Sequence, residues 1–381
     1  MMIRLSRLIL VVFVFSTAMF AAEGNEVTTK KSNLTLGGQL QTQYQYVNSN
    51  PTTNRLILRR GRLIISSKLS KNIGLKIQME AGMQKFTFQD AYLTFSLKPA
   101  DIFVGQKHVP FSREALNSST VLQMIERSYT SEFAPFRQVG IGLQGFLWNK
   151  KIEYMAGFYN GSVDAASTAD FAANKLSKVK IYTVDGAASN DNNRFLYAGR
   201  LDFHPLGYME KQQSYLQKLE HPLLSFGINF FTSDDSPKKG HTSGLGEIKR
   251  TSAYGADMAL KCKGFAGTLE YIRRDLSWWN TADLINESPQ YTFTIQGGFM
   301  IVPQKFEIAA RYEFVDFDEN NLLRGPLGQD RDKWTTFGLN YFIEGHNMKI
   351  QFNYILKQED MPAGAAEADN NTALVQFAYF F

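Results

Sequence analysis

The chain is nearly without cysteine: Cys262 stands alone among 381 residues. An internal disulfide is therefore impossible, and metal sites built on cysteine are excluded. Histidine is also scarce, and His108, His204, His221, His241 and His346 show no ligand spacing. No metal or other cofactor is expected. The chain has no GxSxG elbow, and no histidine shares a motif with a serine and a carboxylate, so no enzymatic chemistry is expected. Past the N-terminus no run approaches the ~18 consecutive apolar residues of a transmembrane helix. Mean hydropathy is −0.25. Either the mature chain is exported and soluble, or it crosses a membrane as a closed barrel, whose strands carry a weaker signal. Positive charge is modest too. The formal +5 falls to +3 without Arg4 and Arg7, too little to argue for nucleic acid. Basic residues also alternate with apolar ones, which puts the aromatics on the wrong face to stack on bases.

Aromatics, by contrast, are abundant, at 13% with 30 Phe and 17 Tyr. They favour strands and membrane interfaces. Residues 1–22 read as a signal peptide: Arg4 and Arg7, then the apolar "LILVVFVF", then "STAMFAA" with small residues for cleavage between 18 and 22. Residues 23–381 then form one exported barrel domain.

Period-two alternation dominates that domain. Leu36, Leu40, Tyr44 and Tyr46 oppose Gln39, Gln41, Gln43 and Gln45. Leu75, Ile77 and Met79 oppose Lys76, Gln78 and Glu80, and Ile350, Phe352 and Tyr354 oppose Lys349, Gln351 and Asn353. Strands are expected near 34–48, 54–68, 72–82, 87–97, 101–107, 138–148, 151–160, 194–204, 223–233, 250–263, 264–274, 290–300, 304–315, 333–343, 346–356 and 372–381. Many have the length of a tilted membrane strand. A sandwich would alternate as well, so the connections decide. "SKN", "KPA", "NK" and "EG" are short, whereas "GSVDAASTADFAANKLSKVKIYTVDGAASNDNN", "TSDDSPKKGHTSGLGEIK" and "KQEDMPAGAAEADNN" are long and polar. Short turns alternating with long loops indicate a transmembrane antiparallel β-barrel of about 16 strands, both termini in the periplasm. The long link "PLGYMEKQQSYLQKLEHP" breaks the rule, as a short helix or a misplaced boundary. The C-terminus ends on Phe377, Tyr379 and Phe381 at one parity, which resembles the signal read by the outer-membrane barrel-assembly machinery.

The third long loop, from about His108 to Arg137, is not polar. Phe111, Leu116, Val121, Leu122, Met124, Ile125, Phe133 and Phe136 lie in it. Such a loop must bury itself or expose a costly patch. Folded into the barrel it would narrow the pore; packed on a neighbouring subunit it would also be covered.

"NRLILRRGRLIISSKLSKNIGLKIQ", "FQDAYLTFSL", "VGQKHVPFSREALNSS", "MIERSYTSEFAPFRQVGIGLQG" and "YMAGFYNGS" resemble the phosphate-selective porin O and P family. The resemblance implies a sixteen-stranded bacterial outer-membrane barrel, usually a homotrimer, with the third loop inside the pore. Some members of the family select phosphate with lysines and arginines that line the channel.

Parity gives a separate reading of the lumen. With the apolar face on lipid, the inward basic set includes Arg60, Arg62, Lys76, Arg194, Arg200, Lys261, Arg311 and Lys349. The inward acidic set includes Glu80, Asp90, Glu153, Asp202, Asp257, Glu270, Glu307 and Glu313. The two nearly balance, so placement matters more than totals. The anion-contact candidates are Arg60, Arg62, Lys76, Arg113, Arg127, Arg137, Arg200 and Arg311, opposed by Glu80, Asp90, Glu114, Glu126 and Glu132. Arginine suits phosphate or carboxylate because its planar fork donates two parallel hydrogen bonds. The competing reading for each arginine is a structural ion pair, such as Glu126 beside Arg127. Arg59 and Arg60 break strict alternation, which places Arg59 at a bulge or the rim. The function expected is passive diffusion of small hydrophilic solutes across the outer membrane, with small anions such as phosphate as permeants. The alternative is a structural or adhesive barrel whose loops bind ligands and which conducts little.

Overall fold

The computed structural model describes residues 33–48, 52–82, 85–161, 194–216, 221–234, 248–278, 287–317, 319, 331–359 and 370–381. Sixteen strands follow one another: β1 (Asn33–Val47), β2 (Thr53–Lys68), β3 (Ile73–Gly82), β4 (Lys85–Ser96), β5 (Ala100–His108), β6 (Arg137–Leu147), β7 (Ile152–Tyr159), β8 (Leu196–Phe203), β9 (Leu223–Asp234), β10 (Ile248–Cys262), β11 (Phe265–Trp278), β12 (Glu287–Val302), β13 (Phe306–Asp316), β14 (Arg331–Glu344), β15 (Met348–Glu359) and β16 (Thr372–Phe380). Each strand pairs with its sequence neighbours, and β1 pairs antiparallel with β16 from Gln39↔Phe380 to Val47↔Thr372. The sheet is therefore a closed barrel, not a sandwich. Closure leaves no strand edge unpaired, which a lipid-facing sheet requires.

Alternation sorts the side chains as the pleat demands. On β1, Leu36, Leu40 and Tyr44 are exposed, whereas Gln39, Gln41 and Gln43 are buried inside. On the last strands Ile350, Phe352, Tyr354, Val375, Phe377 and Tyr379 face out, while Lys349, Gln351, Asn353 and Gln376 face in. The outer surface is thus apolar and aromatic around the barrel, and the polar set is internal.

Turns at one end are tight. Trp148, Asn149 and Lys150 all adopt positive φ, and Lys263-Gly264 (φ 46° and 89°) closes the β10–β11 hairpin. At the other end the long polar loops lie largely outside the described residues, as does the 1–22 leader. The β8–β9 connection sits at the tight-turn end. Its described part, residues 204–216, contains no helix. The strand boundaries around it stand close to those expected, so a misplaced boundary does not explain it, and no helix does among the described residues. It is long because it folds inward.

The loop between β5 and β6 is inside the barrel. Its one helical turn, Arg113–Leu116, is capped by Ser112 Oγ, which accepts from Ala115 N at 3.1 Å. Val109, Phe111, Phe133 and Ala134 pack with Leu196, Phe231, Ile272, Val315 and Phe317 of the wall in one buried cluster. Leu122, Met124 and Ile125 are also buried. Burying the side of a long apolar loop against the wall removes it from water, which is the driving force for its inward course.

Candidate functional site: the lumen and its inward loop

Polar bonds hold the loop along the β8–β15 side of the lumen. Arg113 Nε donates to Asp257 at 2.6 Å, and its Nη2 donates to Ser225 at 2.7 Å and Asp202 at 3.2 Å. Arg200 binds the same two aspartates, with Nη1 2.7 Å from Asp257 and Nε 2.9 Å from Asp202. Arg113 N also donates to Glu270 at 2.6 Å. Further along, Lys349 Nζ donates to Leu122 O and Arg311 Nη1 to Glu126 O, both at 2.8 Å, and Tyr129 N donates to Glu313 at 2.8 Å. Glycine supplies the sockets. A Cβ on Gly298 would meet Gln123 Nε2 at 2.2 Å, and one on Gly338 would meet Met124 Sδ at 2.9 Å. Arg113, Arg200 and Arg311 are therefore buried among carboxylates and loop backbone, where charged groups must be paired.

The β1–β2 wall carries a second cluster. Arg59 donates from Nε and Nη2 to the two oxygens of Glu126, at 2.8 and 3.0 Å, while Arg60 reaches the same carboxylate at 3.4 Å and Gln41 at 2.9 Å. Leu58 and Leu63 are both exposed, so alternation slips between Arg59 and Arg60. Both arginines face inward at that slip rather than Arg59 lying on the rim. Arg62 pairs with Glu80 and donates to Ser119 Oγ at 2.9 Å. Arg127 donates to Asn117 O, and its buried Nε has no hydrogen-bond partner among the described residues. Burial lowers the Arg127 guanidinium to about 9; Arg60, Arg62 and Arg137 add to the fall and Glu114 opposes it. Burial would raise the Glu126 carboxyl, but Arg60 and Arg59 outweigh it and hold it at about 2. Glu126 thus pairs with the wall arginines, not with its neighbour Arg127.

The β3–β7 side of the lumen stays open. A cavity of about 290 Å³ there is bounded by Lys76, Asp90, Tyr92, Phe103, Lys107, Gln144, Glu153, Tyr208 and Lys211. Asp90 takes two cations, Arg137 Nε at 2.7 Å and Lys76 Nζ at 3.0 Å. Glu153 accepts from Lys211 Nζ and Gln144 Nε2, each at 2.6 Å. Lys107 Nζ sits 3.1 Å from the centre of the Phe103 ring and 3.4 Å from Gln144 Oε1, with no carboxylate in ion-pair reach among the described residues. Three cations, Lys76, Lys107 and Lys211, and two carboxylates, Asp90 and Glu153, thus line the open space, with Arg137 behind Asp90 and Asp202 3.5 Å from Lys211.

The structure therefore divides the sequence candidates by place. Arg60, Arg62 and Arg127 gather at the β1–β2 wall with Glu80 and Glu126. Lys76 and Arg137 meet Asp90 in the open part. Glu114 is buried on the loop, accepting from Ser128 N at 3.2 Å. Glu132 is exposed on the short helical turn Tyr129–Phe133. Arg194, expected to point inward, is exposed just before β8. Sequence reasoning passed over Arg59, Lys107 and Lys211. Alternation along β5 breaks at Gly105, whose φ is +126°, so Lys107 is placed only once its pairing with Gln138 is known. Lys211 lies in a link with no period to read.

A closed sixteen-stranded barrel with an apolar outside, a charged inside and a long loop folded into the lumen has the architecture of a porin. The chain belongs to the family Phosphate-selective porin O and P, whose sequence model matches residues 33–214 and 290–381. Among curated proteins it is 26% identical over 296 residues to an uncharacterized protein of Aquifex aeolicus (strain VF5), spanning 73% of this chain and 64% of that protein. Among solved structures it resembles an anion-selective porin from Comamonas acidovorans (TM-score 0.60, 11% identity, 92% of this chain and 100% of that one). It also resembles the trimer form of OmpT, an outer membrane protein of Vibrio cholerae (TM-score 0.58, 11% identity, 92% and 99%). A third is the outer membrane channel DcaP of Acinetobacter baumannii (TM-score 0.58, 11% identity, 93% and 99%). At these identities the structural likeness concerns the fold.

Proposed function

We propose that the protein is an outer-membrane diffusion channel for small hydrophilic solutes that prefers anions. The observation that carries the preference is the charge placement in the open lumen, where Asp90 is shared between Lys76 and Arg137 and Lys107 has no carboxylate partner among the described residues. The β1–β2 wall repeats the pattern, since Arg59 and Arg60 share the single carboxylate of Glu126. Acidic residues are instead concentrated on the side that the inward loop covers, at Asp202, Asp257, Glu270, Glu307 and Glu313. A narrow low-dielectric passage lined by one sign of charge concentrates the opposite ion. The solute exchanges hydration for transient contacts and leaves unchanged. No bond is made or broken.

Small oxyanions, phosphate included, suit the arginine forks at Arg60, Arg62 and Arg127. Family membership supports phosphate as one permeant. It also supports export through the 1–22 leader, insertion by the barrel-assembly machinery and a homotrimer embedded in outer-membrane lipid, a trimer form being known for the similar fold of OmpT.

The test is reversal potential across a planar lipid bilayer in a KCl gradient, repeated with phosphate competing for chloride current. Anion-directed reversal with phosphate block is expected. Cation-directed reversal would refute the anion preference and leave the channel, and a barrel without current would favour the structural or adhesive alternative.

A further inference from the structure

We propose that the β8–β9 link is a second pore-shaping element, entering from the tight-turn end, that clamps the inward loop through Gln213 and presents Lys211 to the passage as a selectivity-determining cation. The assignment rests on the channel reading above.

Connections at that end of the barrel are otherwise tight turns, yet this one carries Met209, Gln213 and Ser214 to 1%, 3% and 1% exposure. Their partners lie on the inward loop and the inner wall. Gln213 N donates to Val121 O at 3.2 Å, Gln213 Oε1 accepts from Gln123 N at 2.9 Å, and Gln213 Nε2 donates to Glu114. Ser214 Oγ donates to Glu307 at 2.8 Å, and the same carboxylate accepts from Gln123 Nε2 at 2.8 Å. One glutamine therefore satisfies two buried backbone groups and one buried carboxylate of the loop. Leaving such groups unpaired is costly, so the loop's inner end is held by the link as well as by the wall. Loop and link meet inside the barrel and jointly bound what remains open.

Lys211 has a separate role. Its Nζ lies 2.6 Å from Glu153 and 3.5 Å from Asp202. Glu153 also accepts from Gln144, and Gln144 Oε1 faces Lys107 at 3.4 Å. Lys107, Gln144, Glu153 and Lys211 thus form one chain along the cavity, with Lys211 between the carboxylates of Glu153 and Asp202. Removing the Lys211 charge leaves Glu153 with Gln144 as a donor but with no ion-pair partner among the described residues, and takes one positive charge from the cavity lining. Tyr208 packs edge-on to Phe146 at 5.5 Å and keeps the link against the wall independently of Lys211.

The experiment compares single channels of the wild type, Lys211→Gln, Lys211→Arg and Gln213→Ala in planar bilayers, after confirming folded barrels by heat-modifiable electrophoretic mobility. Lys211→Gln should lower the chloride-to-potassium permeability ratio by about twofold or more, while Lys211→Arg keeps the wild-type ratio. Gln213→Ala should leave the ratio and raise conductance and open-channel noise, because the loop loses its clamp. Lys211 Nζ bonds side chains rather than backbone among the described residues, so its variants decide the selectivity role even if Gln213→Ala fails to fold. Folded variants with wild-type ratio and noise would overturn the proposal while the channel reading stands. A wild type without current would overturn the channel reading, and the proposal with it.

Discussion

Glu126, on the inward loop, accepts hydrogen bonds from Arg59 through both oxygens, at 2.8 and 3.0 Å, and from Arg60 at 3.4 Å. One carboxylate thus fastens the loop to the arginine-rich second strand. Because it holds two guanidinium groups, its protonation state reports on the loop's seat.

The first prediction is a pH profile. The Glu126 carboxyl is held at about 2, below its ordinary 4.5. A carboxylate depressed in this way stabilises the folded loop fully above about pH 4.5, and the contribution is lost as pH falls toward 2. Channel noise should therefore be flat from pH 7 to about 5 and rise as the pH falls below about 4. Glu126→Gln should show raised noise at neutral pH and a flatter acid limb, read from single-channel recordings.

The open lumen makes a second prediction. Lys107→Gln removes a cation that no carboxylate neutralises among the described residues. It should shift reversal potential toward potassium more than Lys76→Gln does, since Lys76 shares Asp90 with Arg137. Equal shifts in a KCl gradient would show that pairing does not grade these lysines.

Arg60 and Arg62 give a third. Each is paired, Arg60 with Glu126 and Arg62 with Glu80, yet both flank the unpartnered Nε of Arg127. Replacing both with glutamine should weaken phosphate block of chloride current by about tenfold, the ~1.4 kcal/mol expected when one charge-assisted hydrogen bond to the anion is lost. Unchanged block and unchanged selectivity would mark them as structural only.

A fourth concerns docking of the loop. Gly298→Ala places a Cβ 2.2 Å from Gln123 Nε2 and 2.8 Å from Glu307. Overpacking of this kind costs about 1–3 kcal/mol. The temperature at which heat-modifiability is lost should fall, with altered conductance, whereas Gly74→Ala should not disturb the loop, since its Cβ would meet only ordinary contacts, Thr94 Cβ at 3.8 Å and Ser67 O at 3.9 Å.

A fifth follows from closure. Phe381 N and O exchange bonds with Gly38 O and N, at 3.2 and 3.0 Å, although the residue is 68% exposed. Deleting Phe381 should slow or reduce folding into lipid vesicles, while Phe381→Tyr should fold as wild type. Equal yields for the deletion would remove any assembly role for this residue.

Much of the barrel was legible in the chain. The pleat imposes a period of two, and a closed sheet between lipid and polar lumen must show it on every strand. That is why Leu40 against Gln41, or Ile350 against Lys349, announced their faces without coordinates. The apolar stretch around Phe111, Leu122, Met124 and Ile125 likewise announced a buried loop, because that much apolar surface cannot stay in water. Sequence alone also excluded an internal disulfide, and parity pointed Arg60, Arg62, Arg200 and Arg311 inward, although it misplaced Arg194 and passed over Arg59. It did not say which would stay available there. Tertiary structure decided that Arg113 and Arg200 lie buried with Asp202 and Asp257, that Arg59 joins Arg60 on Glu126, and that Lys107 meets no carboxylate among the described residues. It also brought Gln213 and Lys211 inside from a link without periodicity. Parity depends on neighbours along one strand, whereas charge pairing depends on which distant strands and loops the closed barrel brings within a few ångströms.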